Sequence, residues 1–247
     1  MSEKLISIQP PEKDLGGFSV RRAIPSIQKR AISYFVFLDH MGPAEISRAV
    51  GMNVRPHPHI ALATVTYLFS GRIVHRDSLG SHQTIEAGDV NWMTAGRGIV
   101  HSERSPLDGP ENFQMHGLQI WVALPKEKEE MTPSFHHHAK EMLPEFKKDG
   151  ADLKLILGRI FGKVSPVQLE SAIFYLDSKM KKDKILNLNF PDKSEVGIYI
   201  VEGDIEISEA GSSDPFESFS ASRLVVLNVD KKYVVRASSD CHFVFFG

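Results

Sequence analysis

Short runs rich in Val, Ile, Leu, Tyr and Phe recur along this chain, each closed by Gly, Pro, Asp or Ser, and that rhythm commits it to β-sheet. Residues 31–38, 62–69, 117–123, 153–157, 223–229 and 242–246 are the clearest runs. β-Branched and aromatic side chains suit a half-buried pleated surface, and Gly and Pro punctuate it. Strands at intervals of roughly 8–12 residues point to a sandwich or barrel. Helical signals are weak, and residues 45–50 and 139–146 each predict one or two turns.

The 247 residues suffice for one large or two small domains. At 42% hydrophobic and 24% charged, the composition excludes a disordered chain. A formal net charge of −2 with no run of positive charge excludes a nucleic-acid footprint or a basic membrane patch. The single cysteine, Cys241, cannot form an internal disulfide and favours a reducing compartment. No apolar run nears the ~20 residues that span a bilayer, and the first ten residues lack a signal-peptide core. The cytoplasm is the expected location.

The chain repeats itself. Tyr67-Leu68-Phe69-Ser70-Gly71-Arg72-Ile73 resembles Tyr199-Ile200-Val201-Glu202-Gly203-Asp204-Ile205, with the two turn glycines 132 residues apart. Two copies of one β-domain are the simplest reading. Charge, proline and loop-like composition gather at residues 133–150, so the copies are expected to divide as 1–135 and 136–247.

Six of the 11 histidines fall between His57 and His116. Two short motifs hold the useful ones, Arg55-Pro56-His57-Pro58-His59 and His101-Ser102-Glu103. Residues i and i+2 of a strand share a face, so His57 projects with His59, and His101 with Glu103. Neighbouring strands would bring three imidazoles and one carboxylate to one point. Pro58 lacks a backbone donor, which places its strand at an edge or rim. Three nitrogens and an oxygen suit a borderline divalent metal, with Fe(II), Mn, Co, Ni, Cu and Zn all eligible. The absence of thiolate argues against a closed structural zinc site. An octahedral metal would keep two open positions, the geometry that non-haem iron oxygenases use. The second copy is a control: residues 139–241 contain no histidine. Shifting the ligand set by 132 lands on Asn189, Pro191, Tyr233 and Val235.

The stretch from Arg55 to Glu103 resembles the pirin signature. Its parts are the two ligand motifs, Thr64-Val65-Thr66-Tyr67, His75-Arg76-Asp77, Gly88-Asp89 and Trp92-Met93-Thr94-Ala95-Gly96-Arg97-Gly98. The family's opening is matched by Leu15-Gly16-Gly17-Phe18, Val20-Arg21-Arg22 and Phe37-Leu38-Asp39-His40-Met41-Gly42-Pro43, and its later part by His116-Gly117-Leu118-Gln119-Ile120-Trp121-Val122. The resemblance implies an all-β bicupin, two cupin-type β-barrels with little helix. It implies one Fe(II) per chain in the first barrel, held by His57, His59, His101 and Glu103, and none in the second. It further implies a dioxygenase acting on flavonols such as quercetin or a related enol-bearing aromatic, with O2 as co-substrate. The alternative it carries is a non-catalytic iron protein that modulates a transcription factor or metabolic enzyme. Under the first reading Glu103 is also the catalytic base, and under either reading the chain is expected to be a monomer.

Where the family usually reads His-x-Gly-x-Glu-Thr, this chain reads His59-Ile60-Ala61-Leu62-Ala63-Thr64. Ala61 and Ala63 are therefore expected to give the pocket a less polar wall, opened on the side of Pro56 and Pro58. Trp92 and Trp121 read as core, His75 and His116 as ordinary polar positions or groups behind the ligands, and Arg97 as part of a tight turn. His136-His137-His138 reads as a solvated linker loop.

Overall fold

The computed structural model describes residues 4–14, 18–47, 49, 51–106, 108, 110–191 and 193–247. In chain order the strands are β1 (Ile6–Ile8), β2 (Glu12–Asp14), β3 (Ser19–Ile24), β4 (Phe35–Ser47), β5 (Asn53–His59), β6 (Leu62–Ser70), β7 (Arg72–Asp77), β8 (His82–Glu86), β9 (Val90–Thr94), β10 (Ile99–Arg104), β11 (Asn112–Ala123) and β12 (Ser134–His138). They continue as β13 (Glu145–Lys148), β14 (Ala151–Ile160), β15 (Lys163–Val164), β16 (Phe174–Met180), β17 (Ile185–Leu188), β18 (Val196–Glu202), β19 (Asp204–Glu209), β20 (Glu217–Ser220), β21 (Arg223–Leu227), β22 (Tyr233–Ala237) and β23 (Cys241–Phe246). Among the described residues helix is confined to 3-10 turns at Lys126–Lys128 and Lys140–Met142, and no helix is long and apolar enough to cross a membrane. The turn expected at 139–146 is thus a single 3-10 turn followed by β13. At 45–50 the chain instead finishes β4, with Arg48 and Val50 outside the described residues, as are Leu15, Gly16 and Gly17 of the opening motif.

Two compact units result. One comprises Pro11–Pro25 and Tyr34–Met142. Its seven-stranded sheet runs β12-β9-β6-β11-β4-β3-β2 and its four-stranded sheet β5-β10-β7-β8. The other comprises Leu143–Gly247, Ser26–Ser33 and the residues up to Pro10. Its large sheet runs β1-β21-β18-β23-β16-β14-β13, with β15 paired to β14, and its small sheet β17-β22-β19-β20.

The sequence repeat is a structural repeat. β6 of the first large sheet turns at Gly71 into β7 of the first small sheet, and β18 turns at Gly203 into β19 in the same way. Both glycines have left-handed backbone, φ +89° and +74°. A Cβ would lie 2.5 Å from the Gln114 carbonyl oxygen at Gly71 and 2.3 Å from that of Asp240 at Gly203, so only glycine fits either corner.

The units do not part at a single cut after residue 135. β12 pairs with β9 along its whole length, which holds residues 134–138 in the first unit and moves the division to Met142/Leu143. His136, His137 and His138 are therefore strand residues rather than a linker loop, and His137 Nδ1 bonds Asn91 Oδ1 at 2.8 Å. At the other end β1 pairs with β21, giving the second unit an N-terminal strand.

Ala61 occupies the tight turn between β5 and β6 with φ +59°, where the family pattern has glycine. Its N–H donates to Gly96 O at 2.8 Å, which holds the strained conformation in place. The left-handed region costs an L-residue roughly 1–2 kcal/mol, partly offset by the extra freedom glycine has when unfolded. Ala61→Gly is expected to stabilise the protein by about 0.5–1 kcal/mol, raising Tm by roughly 1–4 °C. A thermal melt showing no rise would mean that the turn carries no such strain.

Candidate metal centre

β5 lies at the edge of the small sheet, as its two prolines require, with Pro56 and Pro58 exposed. It pairs with β10 so that His57 faces His101 and His59 faces Ile99. The i, i+2 rule then carries His57, His59 and His101 to one place. One ring nitrogen from each lies within 4.8 Å of the others, and ring centroids are 4.5–5.0 Å apart. The β5–β10 register shifts between His101 and Glu103. Glu103 lines the same cavity, but the convergent group is the three histidines. Its Oε1 lies 3.1 Å from Thr66 Oγ1, which is also 2.9 Å from Gln119 Oε1. The one hydroxyl proton serves either oxygen in turn.

The facing wall is a face of the large sheet, built by cross-strand pairing. Gln119 of β11 lies opposite Thr66 and Asp39, and Trp121 opposite Thr64 and Phe37. Phe37 and Trp121 stack with ring centroids 4.0 Å apart, and His59 and Trp121 meet in a T-shaped contact with centroids 4.9 Å apart. Arg22 makes a two-pronged pair with Asp39, both contacts 2.8 Å, and its guanidinium lies 4.5 Å above Phe37. The cavity, open to solvent on one side, is about 310 Å³, at the small end for small-molecule sites.

Three expectations about this wall need correction. Trp121 is wall rather than plain core. Neither Pro56 nor Pro58 lines the cavity. Ala63 is fully buried three residues before Thr66 on a regular strand, so it faces away from the site and leaves the polarity of the wall unchanged. His75, by contrast, stands behind His101 and bonds it. His75 and Asp77 carry the same i, i+2 spacing as the ligand pairs, and that spacing was the signal for them. His116 pairs with His40, Nε2 to Nε2 at 2.8 Å.

Burial holds the His59 and His101 imidazoles neutral. It lowers His59 to about 4, helped by His57. It lowers His101 to about 2, helped by His57, His59 and His75 and opposed by Asp77. Burial also raises Glu103, against His75, Thr66 and His57. His57 Nδ1 lies 2.8 Å from the Arg55 carbonyl, which can only accept, so Nε2 keeps the lone pair. His101 Nε2 is buried with no hydrogen-bond partner. An orphaned buried nitrogen costs roughly 1–3 kcal/mol, and a metal ion among the three rings would satisfy it. The donor set fits a divalent transition metal. The second unit fills the matching strands β17 and β22 with Leu186, Leu188, Tyr233 and Val235, each at most 3% exposed. Among the described residues it has no comparable cluster, although it has a cavity of about 800 Å³.

Comparison with known proteins gives the family. A sequence model of the family described as Pirin matches residues 17–122. A pirin-like protein of Caulobacter vibrioides is 44% identical over 200 residues, covering 79% of this chain and 68% of its own. A candidate quercetin 2,3-dioxygenase of Pseudomonas aeruginosa is 40% identical over 192 residues, covering 78% of this chain and 59% of its own. The chain thus spans some three-fifths to two-thirds of these relatives' length. The crystal structure of quercetin 2,3-dioxygenase from Acinetobacter baumannii superposes with a TM-score of 0.88 at 32% identity, over 98% of this chain and 78% of that one. Fold and site together define a bicupin, with a metal-type histidine cluster in one barrel and apolar side chains at the matching positions of the other. The chain belongs to the pirin family.

Proposed function

We propose that this chain is a pirin-type, iron-dependent dioxygenase that cleaves flavonols such as quercetin or a related enol-bearing aromatic. The observation that carries the reading is the buried, partnerless Nε2 of His101, converging with His57 and His59 at one end of an apolar cavity. Relatives at 32–40% identity named for quercetin 2,3-dioxygenase supply the substrate class. His57, His59 and His101 would hold one Fe(II), with Glu103, on the His101 face of β10, as fourth ligand. Bound Fe(II) supplies Lewis acidity and the redox chemistry that lets O2 react with an electron-rich ring.

The protein's own groups do the rest. Phe37 and Trp121 give the cavity apolar aromatic lining that suits an aromatic ring. Burial favours the protonated form of Glu103, which suits it to take the substrate hydroxyl proton as the enolate forms. The Thr66 hydroxyl, 3.1 Å away, steadies the carboxyl while it does so.

The test is oxygen uptake by protein loaded anaerobically with Fe(II), then mixed with quercetin in aerated buffer. Consumption of O2 in step with quercetin loss is expected, and none from metal-free protein. Full iron loading with no uptake for any flavonol tried would overturn the enzymatic reading.

A further inference from the structure

We infer that Asp77 and His75 are positioning residues that fix the ring proton of His101 on Nδ1 and so present its Nε2 lone pair to the metal. The inference rests on the metal-site reading above. It begins with two contacts in series. Asp77 Oδ2 lies 2.9 Å from His75 Nε2, and His75 Nδ1 lies 3.3 Å from His101 Nδ1. A carboxylate can only accept, so the proton between the first pair belongs to His75 Nε2. A His75 ring with its one proton on Nε2 has a bare Nδ1, and the proton in the second contact then comes from His101 Nδ1. His101 is left with a bare Nε2, the buried atom that has no hydrogen-bond partner. The opposite polarity would put a proton on that Nε2, and such a ring cannot bind a metal through it.

The pair is built to hold one direction. Asp77 Oδ1 accepts the backbone N–H groups of Leu79 at 2.9 Å and Ser81 at 3.0 Å, which commits Oδ2 to His75. The Asp77 and His75 side chains are 0% and 4% exposed, so water does not compete. The His75 ring stacks on Phe135 at 4.1 Å and 13°, which fixes its plane. The β7–β10 register places Asp77 opposite His101 and His75 opposite Glu103, inside the ladder that carries the ligands. Partners that orient a metal-binding imidazole are usually worth about 10–100-fold in metal affinity.

Asp77→Asn separates orientation from architecture. The Asn Oδ1 can keep both turn bonds, which forces its NH2 toward His75 Nε2 and reverses the whole chain of donors. With histidine 15N spectra of metal-free protein, the His101 proton is expected on Nδ1 in the wild type and on Nε2 in D77N. Fe(II) or Co(II) affinity, read by chelator competition, is expected to fall about 10–100-fold in D77N with the melting temperature of the metal-free protein unchanged. His75→Asn supplies an amide oxygen near the former Nδ1 position and no longer answers to residue 77, so adding D77N to H75N should cost nothing further. Wild-type affinity in D77N, or an equal loss in both backgrounds, would overturn the relay. A wild-type His101 proton on Nε2 would overturn it whether or not metal binds. If the wild type binds no metal but the spectra show the expected switch, the metal-site reading fails and the relay stands.

Discussion

His101→Ala is expected to leave the chain without its metal and without the stabilisation the metal brings. In the wild type, one equivalent of Fe(II) or Co(II) should bind, all of it in the first unit. A ligand present at 100 times its Kd stabilises by about 2.7 kcal/mol, which for a chain of this size is roughly 5–11 °C in Tm. His101 is the right ligand to remove. It is the most buried of the three, at 2% exposed, and the one whose Nε2 has nothing else to bond. His57 is half-buried on an edge strand, and water can replace it at lower cost. In His101→Ala, elemental analysis should find little metal and the melt should no longer respond to added ion. One full equivalent retained by the variant would show that the ion binds somewhere other than this cluster.

The ligand motifs were legible because they depend only on local geometry. His57 with His59, and His101 with Glu103, share a face in any regular strand, and Pro58 marks an edge in any sheet. That the second unit has no matching histidine cluster among the described residues was legible for a simpler reason, since residues 139–241 contain no histidine. The cavity wall was not legible. Phe37, Asp39, Thr66, Gln119 and Trp121 come together only through β4–β11 and β6–β11 pairing, and no local pattern encodes that register. Proximity in sequence even misled: Ala63 lies four residues from His59 yet faces the other way. The same limit applies to β1 and β12. Each is assigned by a partner strand, Arg223–Leu227 for β1 and Val90–Thr94 for β12, and not by its own composition.

Glu103→Gln separates binding from chemistry. Glutamine keeps the size of the side chain and an acceptor for Thr66, but it cannot take a proton. With Fe(II) held above saturation for the variant, quercetin turnover is expected to fall by about 10²–10⁴-fold, the usual worth of a positioned general base. Losing one oxygen ligand should also weaken metal binding, which is why saturation must be shown by titration first. Affinity for quercetin should change far less than kcat, because the Phe37–Trp121 surface and the Arg22–Asp39 pair that border the cavity are untouched. Loss in kcat with KM preserved marks an interaction made only in the transition state. If saturated Glu103→Gln turns over quercetin at the wild-type rate, the proton goes elsewhere. The other carboxylate lining the cavity, Asp39, would then be the group to test, although Arg22 already occupies both of its oxygens.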